Sequence, residues 1–176
     1  LARELNMTQV KEISTIIGKG KIKGPAGELV QIEMFCHGAL CMAISGKCYL
    51  SLHEYNSSAN RGSCFQICRR GYEVTDLETG AKLNIDNKYI MSPKDLCTIE
   101  FIDKMIDAGV SVLKIEGRAR SAEYVKTVTA AYRKGVDAVM AGKFNQELAK
   151  GLKEDLATVF NRGFWDGYYQ GKSLGE

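Results

Sequence analysis

The sequence lacks long hydrophobic runs, a strong charge imbalance and a dense cysteine pattern. No apolar segment approaches the roughly 20 residues that a membrane-spanning helix needs. The formal net charge is only +3, from 24 Lys plus Arg against 21 Asp plus Glu, which does not by itself indicate nucleic-acid binding. Six cysteines in 176 residues are far below the roughly 8–10% of disulfide scaffolds. We therefore expect a soluble, cytoplasmic protein with reduced or metal-bound thiols and with neither a membrane nor DNA as partner.

The beginning of the sequence carries no secretion signal. It starts at Leu1, and the first four residues, LARE, are typical of the end of a strand. A chain of 176 residues can form one domain, whereas a closed eight-fold β/α barrel takes about 250 residues. We therefore expect a fragment, whose missing N-terminal part of the same polypeptide is its first partner.

Strand and helix patterns alternate along much of the sequence. Helical spacing follows Asn6, a strand is predicted at 29–35 and another at 88–92, and a helix is predicted from Asp95 to Ala108. A third strand is predicted at 110–116, followed by a helix that Ser121 caps and by a last helix at 146–160. This alternation predicts an α/β fold with a parallel sheet, in which functional groups collect at the carboxyl ends of the strands.

The periodicity fades between residues 37 and 87. This stretch contains four of the six cysteines and several Gly, Asn and Ser. An irregular segment of this length needs something other than a hydrophobic core to order it. We predict a Cys-rich insertion at 37–87, ordered by a metal, between two portions of a β/α barrel domain at 1–36 and 88–176.

The sharpest motif in the insertion is a set of four cysteines, Cys41-x6-Cys48 and, after fifteen further residues, Cys64-x3-Cys68. Four thiolates bind either a tetrahedral zinc ion or an iron–sulfur cluster. Zinc ribbons usually pair their cysteines as C-x2-C, so the spacing favours the cluster. Cys97 rivals Cys68 as the fourth ligand, whereas Cys36 ends an apolar strand and fits a buried free thiol.

A second set consists of polar residues at the predicted strand ends: Arg3, Glu4, Glu33, His37, Lys114, Glu116 and Arg118. Charged residues in apolar strands are costly unless they are paired, so we expect several of them to face one cavity. The carboxylates Glu33 and Glu116 and the imidazole of His37 are candidates for acid–base catalysis, and the Arg and Lys side chains for binding an anionic substrate. A structural salt-bridge network would use the same residues, and His53 fits a surface histidine.

Basic and aromatic residues alternate in the insertion, namely Arg61, Phe65, Arg69, Arg70 and Tyr72. Such residues suit phosphate contacts and base stacking in single-stranded RNA recognition, with Arg61 and Arg69 as candidate substrate-binding residues. A solvated basic face would explain them equally well. The sequence contains no Gly-rich phosphate loop, no HExxH helix and no Ser–His–Asp order, which removes the usual signatures of nucleotide hydrolases and of zinc and serine proteases.

The segment from 33 to 51, EMFCHGALCMAISGKCYLS, closely resembles the signature of the collagenase-like U32 peptidase family. The blocks NRGSC at 60–64, MSPKDL at 91–96 and LKIEGR at 113–118 follow in the family's order. The resemblance covers nearly the whole chain. It implies the second part of a TIM-barrel-like catalytic domain.

The resemblance also implies a function. Some family members hydroxylate RNA, notably the wobble uridine of tRNA with prephenate as a required metabolite, and others act on ribosomal RNA or in ubiquinone synthesis. Several resemble iron–sulfur proteins, and the implied ligands of a 4Fe–4S cluster are Cys41, Cys48, Cys64 and either Cys68 or Cys97. The tRNA-hydroxylating members retain the pair that matches Cys64 and Cys68, which favours Cys68.

The expected function is therefore iron–sulfur-dependent hydroxylation of tRNA. A collagenase-like peptidase is the first alternative, because peptidase activity is attributed to other members of the family that the sequence resembles. A non-catalytic RNA-binding module is the second, and zinc is the alternative metal.

Overall fold

The structure, a computed structural model, describes residues 1–83 and 90–171. Backbone contacts divide the chain into two compact units. The sheet unit consists of Leu1–Ala39 and Lys94–Glu176, and the cysteine unit consists of Leu40–Pro93. In chain order, the helices and strands are α1 (Met7–Gly20), β1 (Ile32–Ala39), α2 (Leu50–Tyr55), β2 (Val74–Thr75), β3 (Lys82–Leu83), β4 (Asp95–Cys97), α3 (Ile102–Asp107), β5 (Val110–Ile115), α4 (Ala122–Met140), α5 (Gln146–Ala157) and β6 (Phe164–Trp165).

The sheet unit is built on four strands in the order β5-β1-β4-β6. The β1–β5 and β4–β6 pairs are parallel, whereas β1 and β4 are antiparallel, with His37 opposite Cys97 and Ala39 opposite Asp95. The prediction of a mixed α/β class is confirmed. The expectation of a uniformly parallel sheet is wrong at β4, and the described strands do not close into a barrel.

The segment that contains β4 differs from its prediction. The sequence predicts a helix from Asp95 and a strand at 88–92, but Asp95–Cys97 is a strand and residues 90–92 are not. Residues 88 and 89 lie outside the described part of the chain. All three residues of β4 are almost fully buried between β1 and β6, so burial and pairing with distant strands override the local helical pattern. Helical structure begins only at the 3-10 turn Ile99–Phe101.

The long helices follow the predicted apolar periodicity. α4 buries Tyr124, Val128 and Tyr132, which lie four residues apart on one face. Both helix N-caps predicted from the sequence are present. The Asn6 side chain accepts a hydrogen bond from the Gln9 amide at the start of α1, and the Ser121 side chain accepts one from the Tyr124 amide at the start of α4. In the part of the chain that the structure describes, no helix is both long and apolar enough to cross a membrane.

A buried hydrogen-bond network fixes the carboxyl end of β1. The Tyr132 hydroxyl donates to the Cys36 carbonyl at 2.7 Å and accepts from the Thr98 amide at 2.9 Å. The pairing with β5 shifts register between Phe35 and His37, which leaves Cys36 as an extra residue on β1. Such a bulge bends a strand and changes where its side chains point. His37 is accordingly buried, although simple alternation would group it with exposed Glu33.

The cysteine unit has little hydrophobic core. Among its described residues, only Leu40, Ser51 and Ile67 are buried. The Arg69 guanidinium joins the two ends of the unit by donating to the Leu40 carbonyl at 2.6 Å, to the Ser92 hydroxyl at 2.7 Å and to the Pro93 carbonyl at 3.2 Å. Hydrogen bonds therefore hold this unit together where apolar burial is scarce.

Candidate functional sites: strand-end residues and four thiols

Three of the predicted strand-end residues lie around an aromatic ring on β1. Glu33 and Lys114 form an ion pair of 3.4 Å, and both side chains are about half exposed. The Lys114 ammonium lies 4.9 Å and the Arg3 guanidinium 5.2 Å from the centroid of the Phe35 ring. Arg3 also donates to the Ala39 carbonyl at 3.3 Å. Arg3 and Lys114 place two cations beside Phe35, and Lys114 pairs with Glu33, so the group can bind an anion but adds little stability.

His37 is a buried imidazole among aromatic rings. It is 1% exposed, and the ring centroids of Tyr124, Tyr132 and Phe164 lie 5.5–6.0 Å from its own. Its Nδ1 is 3.4 Å from the Tyr132 hydroxyl. Burial, and secondarily the positive charge of Arg120, lower the pKa of His37 to about 4. The imidazole is therefore neutral at pH 7.

The lowered pKa of His37 predicts a loss of stability in mild acid. Between about pH 6.5 and pH 4 the unfolded chain takes up a proton that the folded chain does not. The free energy of unfolding should therefore fall as the pH is lowered through this window, by up to about 1.4 kcal/mol per pH unit and about 3 kcal/mol in all. Urea unfolding of the full-length protein at several pH values measures this slope.

Two histidine variants isolate that effect. His37→Gln should flatten the slope relative to the parent protein, because Gln does not titrate. His53→Gln should keep it, because the His53 side chain is 84% exposed. Equal slopes in the parent and in His37→Gln would contradict a buried, neutral His37.

Glu116 and Arg118 lie in the loop that follows β5. One Glu116 carboxylate oxygen accepts a hydrogen bond from the Arg118 amide at 2.9 Å, and the Glu116 amide donates to the His37 carbonyl at 2.8 Å. The Tyr124 hydroxyl donates to the Glu116 carbonyl at 3.3 Å. The Glu116 carboxylate is thus held by its own loop at the carboxyl end of the sheet, and Arg118 is exposed.

A buried ionic cluster at the same end of the sheet was not predicted from the sequence. Asp95 has a side chain that is 1% exposed, and its carboxylate lies 3.1 Å from the Arg162 guanidinium and 3.8 Å from that of Arg120. Both guanidiniums also lie over the Phe160 ring, that of Arg120 at 4.3 Å and that of Arg162 at 5.0 Å from its centroid. A charged residue directly before apolar Leu96 was the available signal, but the helix prediction placed it at an exposed helix start.

The four predicted cluster ligands lie in the cysteine unit, and none forms a disulfide. Cys41 and Cys64 are exposed, whereas Cys48 and Cys68 are partly exposed. Burial is the main cause that raises the pKa of the Cys68 thiol, Arg69 lowers it, and the thiols of the other three cysteines raise it further. The other three thiols therefore lie within electrostatic range of the Cys68 thiol.

The spacing of these thiols bears on what they can hold. Among the described residues, no three His, Cys, Asp or Glu side chains are grouped closely enough for a single metal ion. A zinc ion with Zn–S bonds of about 2.3 Å would bring its thiolates to within about 3.8 Å of one another. In the described part of the chain, the thiols therefore do not form a ready-made site for a single metal ion.

The other two cysteines have different surroundings. Cys36 and Cys97 are buried in the sheet unit, and burial raises the pKa of both thiols. The Cys36 thiol donates to the Lys114 carbonyl at 3.4 Å, and the Cys97 sulfur is 4.0 Å from the Tyr132 hydroxyl. Cys97, the alternative fourth ligand, thus lies near the Tyr132 hydroxyl, whereas the electrostatic neighbours of Cys68 are Arg69 and the three other thiols.

The predicted RNA-binding residues separate into two kinds. Arg69 and Tyr72 bond to the protein itself, since the Tyr72 hydroxyl donates to the backbone of the 3-10 turn Ile67–Arg69 at 2.8 Å and Arg69 joins the ends of the unit. Arg61, Phe65 and Arg70 are exposed. These exposed residues leave side-chain surface available to a ligand, and the Arg70 guanidinium also donates to the Tyr55 hydroxyl.

The chain thus combines an α/β unit with polar strand ends and a second unit that carries four free cysteines. The family model described as "Peptidase family U32" matches residues 1–176, and the chain belongs to this family. The resemblance drawn from the sequence blocks is thereby confirmed.

Among the named relatives, some are named for collagenase and others for the hydroxylation of RNA. "Collagenase" of Porphyromonas gingivalis strain W83 is 64% identical over 176 residues, which are 100% of this chain and 42% of that protein. "tRNA hydroxylation protein P1" of Bacillus subtilis is 38% identical over 175 residues, 97% of this chain and 39% of that protein. "23S rRNA 5-hydroxycytidine C2501 synthase" of Escherichia coli is 41% identical over 140 residues, 80% of this chain and 19% of that protein. The chain spans less than half the length of each, and no solved structure matches it.

Proposed function

We propose that the protein takes part in hydroxylation of RNA, with the wobble uridine of tRNA as substrate and prephenate as a required metabolite. In this proposal Cys41, Cys48, Cys64 and Cys68 hold a 4Fe–4S cluster. The observation that carries it is that four cysteines, none of them in a disulfide, lie in one compact unit with almost no hydrophobic core. Relatives named for tRNA and rRNA hydroxylation support the choice of RNA.

Each unit contributes separately to this function. When bound, the cluster would supply electron transfer next to the RNA. In the sheet unit, Arg3 and Lys114 bind anionic groups beside Phe35, and Glu33 balances one of the two charges. The neutral His37 accepts a proton only weakly, since its pKa is lowered to about 4.

A collagenase-like peptidase is the second candidate, and 64% identity to a protein named "Collagenase" over the whole chain favours it. A cysteine peptidase needs a thiolate activated by a neighbouring imidazolium. His37 lies opposite Cys97 across the β1–β4 pair, but burial raises the pKa of Cys97 and lowers that of His37. Both shifts oppose the formation of such an ion pair, which is why we place peptidase activity second.

Metal analysis of the full-length protein, purified without oxygen, tests the proposal. We expect about four irons and four sulfides per chain, with the absorption spectrum of a cluster. Cys41→Ala and Cys68→Ala should lose the iron, whereas Cys36→Ala, the matched change at a buried free thiol, should keep it. Hydroxylated uridine in tRNA, measured by mass spectrometry, should disappear with the iron.

Three results would count against the proposal. Stoichiometric zinc would indicate a structural metal site. Iron that survives Cys68→Ala but not Cys97→Ala would move the fourth ligand to Cys97. Peptide cleavage that is undiminished in Cys41→Ala and Cys64→Ala, without any RNA hydroxylation, would support the peptidase.

A further inference from the structure

Three side chains form an exposed stacked array in the cysteine unit: Phe65, Tyr55 and Arg70. The rings of Phe65 and Tyr55 have centroids 4.9 Å apart with an interplanar angle of 35°. The Arg70 guanidinium lies 5.2 Å from the Tyr55 centroid and donates to the Tyr55 hydroxyl at 2.6 Å. Phe65 is 54% exposed and Tyr55 is 47% exposed. We call these three residues the stacking array.

Buried and backbone contacts fix the array in place. The Phe65 amide donates to the hydroxyl of Ser51 at 3.0 Å, and Ser51 is 1% exposed on α2. Tyr55 is the last residue of the same helix. Arg70 follows Arg69, whose guanidinium joins the two ends of the unit. The rings are therefore held in a defined position before any ligand binds, which lowers the entropic cost of binding.

The array presents exposed aromatic surface to solvent. Phe has no polar atom that gains from contact with water, yet more than half of Phe65 is exposed. The partner chemistry is indicated by the array as a whole, since two neighbouring aromatic rings, one of which carries an exposed guanidinium, suit a nucleobase next to a phosphate. An acidic peptide would satisfy Arg70 but would leave the Phe65 face without a flat partner.

We propose that the stacking array binds a base of single-stranded RNA, with the base on Phe65 and the adjacent phosphate at Arg70. This deepens the proposed function and rests on it. Phe65 directly follows Cys64, one of the four thiols, so a nucleotide on this ring lies beside the proposed cluster. The array thus supplies an RNA contact that Arg69 and Tyr72 do not supply, because their polar groups form hydrogen bonds within the protein.

Fluorescence anisotropy of a labelled single-stranded oligouridine with the full-length protein, at one fixed salt concentration, tests the array. Phe65→Ala should weaken binding roughly 5- to 150-fold, the range expected for the loss of one stacked base. Phe65→Leu, which keeps the apolar volume but not the aromatic face, should lose nearly as much. Phe65→Trp should retain the affinity and add tryptophan fluorescence that RNA quenches.

A matched control and the metal content separate binding from folding. Leu77→Ala removes another apolar side chain of the same unit, one that is 97% exposed, and should leave RNA affinity unchanged. Every Phe65 variant should keep the iron content of the parent protein, because the array does not hold the metal.

The outcomes distinguish the array from the enzyme function. If the parent protein binds and hydroxylates RNA but Phe65→Ala and Phe65→Leu bind equally well, the array is overturned and the proposed function stands. If RNA binding depends on Phe65 but no hydroxylated uridine forms, the array is supported and the hydroxylase function is overturned. If the parent protein does not bind the oligouridine, the array is overturned whatever the enzyme activity.

Discussion

Replacing Asp95 by alanine is expected to lower the free energy of unfolding by about 3–5 kcal/mol, the range for breaking a buried ion pair by removing one partner. The carboxylate is 1% exposed, and the side chains of Arg120 and Arg162 are only 13% and 26% exposed. Without Asp95, two guanidiniums would both lie against the Phe160 ring without the carboxylate that they share. Chemical denaturation of the full-length protein measures the loss.

An exposed pair of the same chemistry provides the control. Arg133 and Asp137 are one helical turn apart on α4, and their side chains are 61% and 65% exposed. Asp137→Ala should cost no more than about 0.5 kcal/mol, because solvent screens the pair. If Asp95→Ala and Asp137→Ala cost the same, the Asp95 cluster is not shielded from water in the folded protein, and the burial argument fails.

The regular helices of the sheet unit could be predicted from the sequence because their determinants are local. Apolar residues at helical spacing and the caps Asn6 and Ser121 lie within a few residues of one another. β4 could not be predicted in this way. It has three residues, and its stability comes from β1 and β6, which are far away in the sequence.

The candidate sites differ in the same way: a site whose residues lie close together in the sequence could be predicted, whereas one whose residues lie far apart could not. The four thiols of the cysteine unit lie within 28 positions of each other, and their spacing alone indicated a common site. The partners of Asp95 are Arg162, 67 positions away, and Arg120 on the loop before α4. The hydrophobic periodicity of a sequence does not reveal such long-range pairs. It also does not reveal the bulge at Cys36, which buries His37 where simple alternation predicts an exposed residue.

Gly38→Ala is expected to cost about 2–6 kcal/mol of folding free energy. Gly38 lies between His37 and the end of β1 and has a φ of +110°, which strains any residue with a Cβ. An added Cβ would lie 2.5 Å from the Glu116 carbonyl oxygen and 2.9 Å from the Glu116 Cβ. The Glu116 loop would have to move, which would break the hydrogen bond of its amide to the His37 carbonyl. The conformational strain and the overlap each contribute about 1–3 kcal/mol.

Gly27→Ala separates these two causes. Gly27 has a similar φ of +91°, but no atom lies within 4 Å of the position of its added Cβ, so this variant carries the conformational strain alone. Denaturation of both variants should give a smaller loss for Gly27→Ala, by the about 1–3 kcal/mol that the overlap contributes at Gly38. Because Glu116 is a candidate for acid–base catalysis, Gly38→Ala should also reduce the RNA hydroxylation proposed above, whereas Gly27→Ala should leave that activity intact. Equal losses of stability would mean that the Glu116 loop moves aside at no cost in folding free energy. That result would contradict a rigid carboxyl end of the sheet.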